Sequence, residues 1–381
     1  KYLSIIEYKK GITNSVMNFP NYNHLYTGIQ NKITEIKING EFCNLEPKVF
    51  SYFRSLEIFE VSDQTKLALI PKEAFIGCSN LCEVYIPSSC YSIEEGAFKD
   101  CVKLKVFEIR SEKIISSLSD LSIKNYTHST KLLEFIRKEA FCNCSLLESI
   151  KIPSGIYAIC EGAFMNCTNL KEVVFEPSSK DEEDENQDTL EIIEKNAFKN
   201  CKSLQSFILP STCSYIGSAA FMNCSSMKTF EYKGTKLQSI QCRTFFGCKS
   251  LTRFKLQNLK YTNNHLSNDK ESIEEEEENN EEEETAALYR TPTRFSTSLF
   301  SIGSQAFMNC SSLREVIIED ESKKINTVKF NQNGSPLFVY PDHSKDYFHN
   351  YIVVSKRQTI QKKAFCNCKV LTNVKIFLGN L

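Results

Sequence analysis

No run of 18 apolar residues occurs in this 381-residue chain, so nothing in it reads as a membrane-spanning helix. No basic lead followed by an apolar stretch reads as a secretion signal. Catalytic signatures are missing too: there is no G-x-S-x-G, P-loop or H-E-x-x-H, the spacings that build a nucleophile elbow, a phosphate cradle or a zinc site. Only five histidines are present, His24, His128, His265, His343 and His349. All lie outside the periodic part of the chain, where a rigid element would orient a base. Asp342, His343, Asp346 and His349 are ligand-type residues in one short segment. A solvated polar loop accounts for them more simply, because nothing nearby supplies the outer hydrogen bonds that fix metal ligands. These absences leave no enzyme chemistry, cofactor, metal site or nucleic-acid motif to argue for.

What is present is a repeat. The phrase A-F-x-x-C-x-x-L-x-x-V-x-I returns with its phenylalanine at Phe50, Phe75, Phe98, Phe141, Phe164, Phe198, Phe221, Phe245, Phe307 and Phe365. Its tightest spacing is 23 residues. A unit that short cannot bury its own apolar face, so units must stack. The surplus in the longer intervals always falls between the end of one strand-like phrase and the isoleucine five before the next phenylalanine, as from Ile109 to Ile136 or Leu256 to Ile302. Insertions therefore leave along a single edge, where a surface loop can lengthen without shearing a stack.

Within a unit, Val84 and Ile86 alternate with Glu83 and Tyr85, the period of a short half-buried strand. Pro87, Pro153 and Pro210 close such strands, where a missing N–H stops the ladder. The stretch Ile93, Ala97, Cys101, Leu104 has helical spacing, but Gly96 and Gly162 interrupt it. Two residues after the phenylalanine stand Gly77, Asp100, Asn143, Asn166, Asn200, Asn223, Gly247, Asn309 and Asn367, types that tolerate positive φ. The expectation is a brief helical or 3₁₀ turn ending in a left-handed residue. Each coil is then a strand, an edge loop, a short second extended piece and a tight turn.

Segments such as IPSGIYAICEGAFMNCTNLKEVVF and LPSTCSYIGSAAFMNCSSMKTFEY resemble the unit of the BspA-type leucine-rich repeats, found in bacterial surface antigens and predicted surface proteins of mucosal protists. The resemblance covers about residues 30 to 378 apart from the insertions. It implies an α/β-class but strand-rich, right-handed solenoid, with a curved parallel sheet on the concave face and short 3₁₀ or helical turns on the convex side. It also implies adhesion or partner recognition, and a place at the cell surface or outside the cell if a signal or anchor lies beyond this chain, otherwise in the cytoplasm. Tyr52 and Phe53 stand where Asn or Gly and Cys are usual, so the first unit reads as a degenerate cap.

The domain organisation expected is an N-terminal flank over 1–30 and one solenoid of ten to eleven repeats over 31–378, with insertions near 110–131, 176–189, 257–298 and 319–356. Lys1 is not an initiator methionine, and Leu381 arrives three residues after a strand with no polar cap, which suggests a piece of a longer protein. Charge is unevenly spread. Residues 181–188 hold six acids and 271–284 hold ten; without them 31 acidic residues face 46 basic ones, about +15. A basic body with acidic, solvated inserts is the picture, and a polyanion such as a glycosaminoglycan is a possible ligand of that body. Glu274 to Glu278 lacks the spaced Asp, Asn and Gly of a calcium loop.

Nine of the 17 cysteines, from Cys78 to Cys368, stand three residues after the phenylalanine. Such a column belongs inside the coil as small apolar side chains. The odd total and one-per-coil pattern do not suit paired disulfides. Cys142 with Cys144, and Cys366 with Cys368, lack the second pair that zinc requires. Of the six Asn-x-Ser/Thr sequons, those at Asn143, Asn166, Asn223 and Asn309 are the repeat's own turn; Asn125 and Asn333 lie in insertions.

Recognition then falls to the outward residues of the strands, two and four after the repeat leucine. The candidates for a protein partner are Glu83, Tyr85, Val106, Glu108, Ser149, Lys151, Glu172, Val174, Ser206, Ile208, Thr229, Glu231, Arg253 and Lys255. The same rule points to Lys37, Glu60 and Ile317. Cross-strand neighbours such as Lys37 and Glu60, or Glu231 and Lys255, could instead simply pair with each other. An intracellular interaction scaffold is the alternative that the thiol count favours.

Overall fold

A computed structural model describes residues 31–39, 42–110, 133–176, 189–232, 234, 236–237, 239–259, 301–320, 358–361 and 363–378, with the short strands 5–8, 16–17, 324–330, 336–337 and 351–355. It is a parallel-strand β-solenoid of about eight turns. Long strands lie side by side in one wall: Ile5–Tyr8, Glu35–Ile38, Ile58–Val61, Glu83–Pro87 and Val106–Arg110; then Ser149–Ile152 with Glu172–Phe175; then Ser206–Leu209, Thr229–Tyr232, Arg253–Leu259, Glu315–Asp320 and Asn373–Leu378. The pairing follows the sequence period. Glu83 stands opposite Val106, and Ser206 opposite Thr229, each 23 residues on.

The short extended piece expected after the edge loop is a second wall. Leu69–Ile70, Ser92–Ile93, Phe135–Ile136, Ala158–Ile159, Ile192–Ile193 and Tyr215–Ile216 form one parallel sheet, two residues per strand. Between the walls runs one continuous core from Ile33 to Cys368. Its axis is a column of phenylalanine rings: Phe75 to Phe98 are 5.1 Å apart and within 5° of parallel, and Phe141 to Phe164 are 5.2 Å and 3°. Across the two longest intervals the spacing is the same, 5.3 Å for Phe245 to Phe307 and for Phe307 to Phe365. Insertions thus lengthen the chain without displacing the stack. Each buried ring contributes roughly 1.5–3 kcal/mol through burial, and each stacked pair about 0.5–1.5 kcal/mol more.

No helix of any kind occurs among the described residues. The expected helical turn around each phenylalanine is a plain turn segment, and its backbone explains why. The residue two after the phenylalanine is left-handed as anticipated, with φ from 61 to 72° at Tyr52, Gly77, Asp100, Gly247 and the six asparagines. The residue two before it is left-handed as well, at Lys48, Glu73, Gly96, Glu139, Gly162, Asn196, Ala219, Arg243, Gln305 and Lys363, φ 53 to 64°. Two reversals four positions apart leave no room for a helical run. Amides alternate instead. Phe75 donates to Ala97 of the next coil at 2.8 Å, while Cys78 donates back to Phe75 at 3.1 Å.

The cysteine column is buried as expected, Cys78 through Cys310 at 0% exposure. Its thiols also do something the apolar reading missed. Each donates to the phenylalanine carbonyl of the coil before it, Cys101 to Phe75 at 3.1 Å and Cys201 to Phe164 at 3.2 Å. Alanine would leave both the sulfur's volume empty and that lone pair unused. No disulfide forms among the described cysteines.

Candidate recognition face

The fourteen residues singled out on the strands all lie on the outer side of the long-strand wall. Their alternating neighbours, such as Val84, Phe107, Ile150, Phe207 and Phe230, are buried in the core. Period-2 alternation produces this directly. Glu83, Tyr85, Val174 and Lys255 are half-buried; the other ten are exposed. Ile317, expected outward by the same rule, is only 5% exposed, so the face is covered at that coil.

The face divides by how far its charges satisfy one another. At the N-terminal end Lys37 pairs with Glu35 at 2.8 Å and with Glu60 at 3.7 Å, while Arg110 reaches Glu60 at 2.6 Å. Arg110 lies 4.0 Å over the Tyr85 ring, and the Tyr85 hydroxyl donates to Glu83 at 2.9 Å. Burial first, then the Glu83 carboxylate, pushes the Tyr85 phenol up. The hydrogen bond it donates to Glu35 raises Lys37. Cross-strand pairing therefore does account for Lys37 and Glu60. Sequence reasoning misses Arg110 because its outward positions stop at two and four after the repeat leucine, whereas Arg110 continues the same alternation one step further, opposite Pro87 in the register. Further along, Arg253 binds Glu315 at 2.9 Å.

The middle coils differ. Lys151, Glu172, Ser206, Thr229 and Glu231 make no ion pair or side-chain hydrogen bond among the described residues. Among them stands Ile208, 63% exposed, the most exposed large apolar side chain described, with half-buried Val174 on the preceding strand. The long-strand wall is also interrupted on both sides of Ser149–Ile152 and Glu172–Phe175, whereas the short-strand wall passes both places unbroken. The breaks coincide with the insertions near 110–131 and 176–189. The stack holds there through the turn segments, as where Leu146 donates to Val102 at 3.2 Å.

Other sequence candidates resolve variously. All five histidines, with Asp342 and Asp346, lie outside the described residues, as do the acidic runs and the sequons at Asn125 and Asn333. No group of three His, Cys, Asp or Glu side chains that could hold a metal occurs among the described residues. Nor, among them, is any helix long and apolar enough to cross a membrane. The turn sequons are engaged structurally: the Asn143 amide donates to Asp100 at 2.7 Å and Asn166 to Asn143 at 2.7 Å. An open depression of about 450 Å³ on the turn side is lined by Lys195, Lys199 and Arg243. Its basic residues come from different coils, and only stacking brings them to one place.

Residues 22–126, 134–186, 182–277 and 290–352 match the family described as BspA type leucine rich repeat region, in six copies. No curated protein matches the chain. Among solved structures it is similar to the pneumococcal vaccine antigen PcpA, at 18% identity and TM-score 0.40, over 75% of this chain and 62% of that one. A leucine rich cell surface protein from Faecalibacterium prausnitzii A2-165 is 17% identical with TM-score 0.37, over 98% and 88% of the two chains. The T. pallidum leucine rich repeat protein is 20% identical with TM-score 0.35, over 51% and 72%. The chain thus spans less than two thirds of the PcpA chain it resembles.

Proposed function

The chain belongs to the BspA type leucine rich repeat family, and from that premise we propose that it is a non-enzymatic recognition or adhesion protein that binds a protein partner through its long-strand wall. Residues 31–378 act as one solenoid whose wall the 1–30 flank extends with Ile5–Tyr8, and the partner docks on the middle coils. The observation that carries this reading is the contrast along the wall. Glu83, Tyr85, Arg253 and their neighbours are already engaged, whereas Lys151, Glu172, Val174, Ser206, Ile208, Thr229 and Glu231 offer unpaired polar groups around an exposed aliphatic anchor. Interfaces concentrate their energy at such anchors, ringed by polar contacts. Val106, Glu108, Ser149 and Lys255 form the rim. Placement at the cell surface follows from the same premise.

The test is a double variant, Val174→Asp with Ile208→Asp, immobilised beside the wild type and exposed to the same protein extract. Its urea midpoint stays within the wild-type range, because both positions face away from the core. Proteins retained by the wild type are lost from the variant; identical retention would overturn the assignment. The second reading, a polyanion bound by the basic body, rests on the depression lined by Lys195, Lys199 and Arg243. It requires heparin affinity that falls steeply with salt.

A further inference from the structure

The asparagines of the turn form a directional ladder. Asn143 donates its Nδ2 to Asp100, Asn166 to Asn143, Asn200 to Asn166 and Asn223 to Asn200, at 2.7 to 3.0 Å. Asp100 fixes the direction, because an ionised carboxylate only accepts. Every amide above it must point its N–H toward the N-terminal end and its carbonyl toward the C-terminal end. The ladder resumes with the same polarity where Asn367 donates to Asn309 at 2.9 Å. Between the two stretches stands Gly247, with no side chain. Asn223 is left with an outward Oδ1 and Asn309 with an inward-facing Nδ2, and neither has a partner among the described residues.

The missing rung is a cavity. An open depression of about 600 Å³ is floored by Gly247 and lined by Asn223, Asn309, Asn367, Lys249 and Lys369. Adjacent rings of the core column set its width at two coil steps, 5.5 and 5.3 Å. The Asn223 Oδ1 leans into the vacancy, 2.5 Å from where a Gly247 Cβ would stand. The other glycine in this row, Gly77, leaves no such vacancy: the Tyr52 ring lies over it, 2.6 Å from the corresponding Cβ.

We propose that the Gly247 notch binds a side-chain amide, an asparagine or glutamine presented by an acidic segment of a partner polypeptide. The two open groups demand a donor toward Asn223 and an acceptor toward Asn309 on one small planar group. A carboxylate would set oxygen against oxygen at Asn223. An ammonium or guanidinium would leave the Asn309 N–H unmet and would face Lys249 and Lys369. Those two lysines are exposed and make no ion pair among the described residues, so carboxylates flanking the amide are the complementary surroundings. An N-acetyl sugar or a backbone amide carries a substituent on both carbon and nitrogen, and one of them would strike the Gly247 floor. A primary amide enters end-on, as the rungs themselves do. The notch lies on the turn edge and is independent of the long-strand wall.

The test is calorimetric titration of the full chain with acetylated Glu-Glu-X-Glu-Glu amide peptides in which X is Asn, Asp or Ala. The Asn peptide is expected to bind about tenfold more tightly than the other two, the worth of one restored pair of hydrogen bonds. Gly247→Asn should fold, since its φ of 72° is near the 61 to 65° of the ladder asparagines. It should complete the ladder, raise the melting temperature and abolish the preference. Lys249→Ala should weaken all three peptides alike. Equal affinities for the three, absence of binding at millimolar peptide, an unchanged preference in Gly247→Asn, or tighter binding of N-acetylneuraminic acid than of the Asn peptide would each overturn the proposal. Side-chain amide NMR signals of Asn223 and Asn309 give a reading independent of any variant: both must shift with the Asn peptide, and static signals refute the site.

Discussion

Raising the pH should unfold this protein far below the range in which a surface-stabilised domain fails. The cause is the thiol column. Burial pushes a thiol up from its ordinary 9.0 to about 12 at Cys78 and Cys368, and well above 9.0 at the seven column cysteines between them. Unfolded, these thiols lose their protons from about pH 9; folded, they keep them. Below pH 9 the contribution to stability is therefore complete, and it is lost as pH rises toward the folded values. One pH unit above the unfolded value each such thiol costs about 1.4 kcal/mol, so nine cost about 13 kcal/mol at pH 10. That matches the whole stability of an ordinary domain, about 5–15 kcal/mol. Surface pairs do not confound this window, because Lys72 and Lys99 are held charged above their ordinary value by the hydrogen bonds they donate to Glu95 and Glu139. Tyr232, pushed up to about 12 by burial, acts in the same direction. The measurement is the urea midpoint by circular dichroism, with reductant, from pH 8 to 10.5. The midpoint should fall steeply above pH 9, and Cys201→Ala should make the fall shallower by one proton. A flat midpoint to pH 10 would refute the argument.

Two further outcomes follow from the backbone and from exposure. Ala219 holds φ 57°, a conformation that costs a residue with a Cβ about 1 kcal/mol. Ala219→Gly should therefore raise stability by roughly 0.5–1 kcal/mol in the same urea titration, net of the freedom it adds to the unfolded chain. A thiol reagent at pH 8 should modify Cys82, Cys242 and Cys366, the half-exposed cysteines, and leave Cys167 and Cys201 untouched until the chain is denatured. Mass spectrometric mapping reads the result, and modification of a column thiol at the same rate would contradict the burial described.

The repeat made the stack legible because each requirement falls on a fixed offset from the phenylalanine. Strand alternation at Val84 and Ile86, the buried thiols, and the left-handed residue at Asn143 or Gly77 could all be read from residue type. What could not be read has no residue signature. The second left-handed position is filled by Glu73, Arg243, Ala219 and Lys363 as readily as by Gly96, because inter-coil hydrogen bonds such as Glu73 to Glu95 at 2.9 Å impose it. Asparagine was recognised as a turn former, yet its side chain joins a ladder that only stacking creates. On the long-strand wall the outward positions were legible, but not which of them already hold a partner. Arg110 reaches Glu60 across 50 residues of sequence, a contact set by register and side-chain length.

The insertion near 319–356 was expected to leave the solenoid as a surface loop. Instead, part of it joins both walls. Lys324–Phe330 pairs antiparallel with Asn373–Leu378, and Tyr351–Ser355 pairs antiparallel with Gln358–Gln361. The physical reason lies in the edge. Every added parallel coil presents a new row of unpaired backbone groups identical to the one it covered, so the repeat cannot close itself. An antiparallel strand breaks that succession, because what it presents outward is out of register with the 23-residue coil. The outermost strand here, Pro336–Leu337, is two residues long and begins with proline, and both features discourage further pairing. One interruption of the period thus meets a requirement that the period creates. It escaped the sequence reading because an antiparallel partner needs no repeat spacing to find its place.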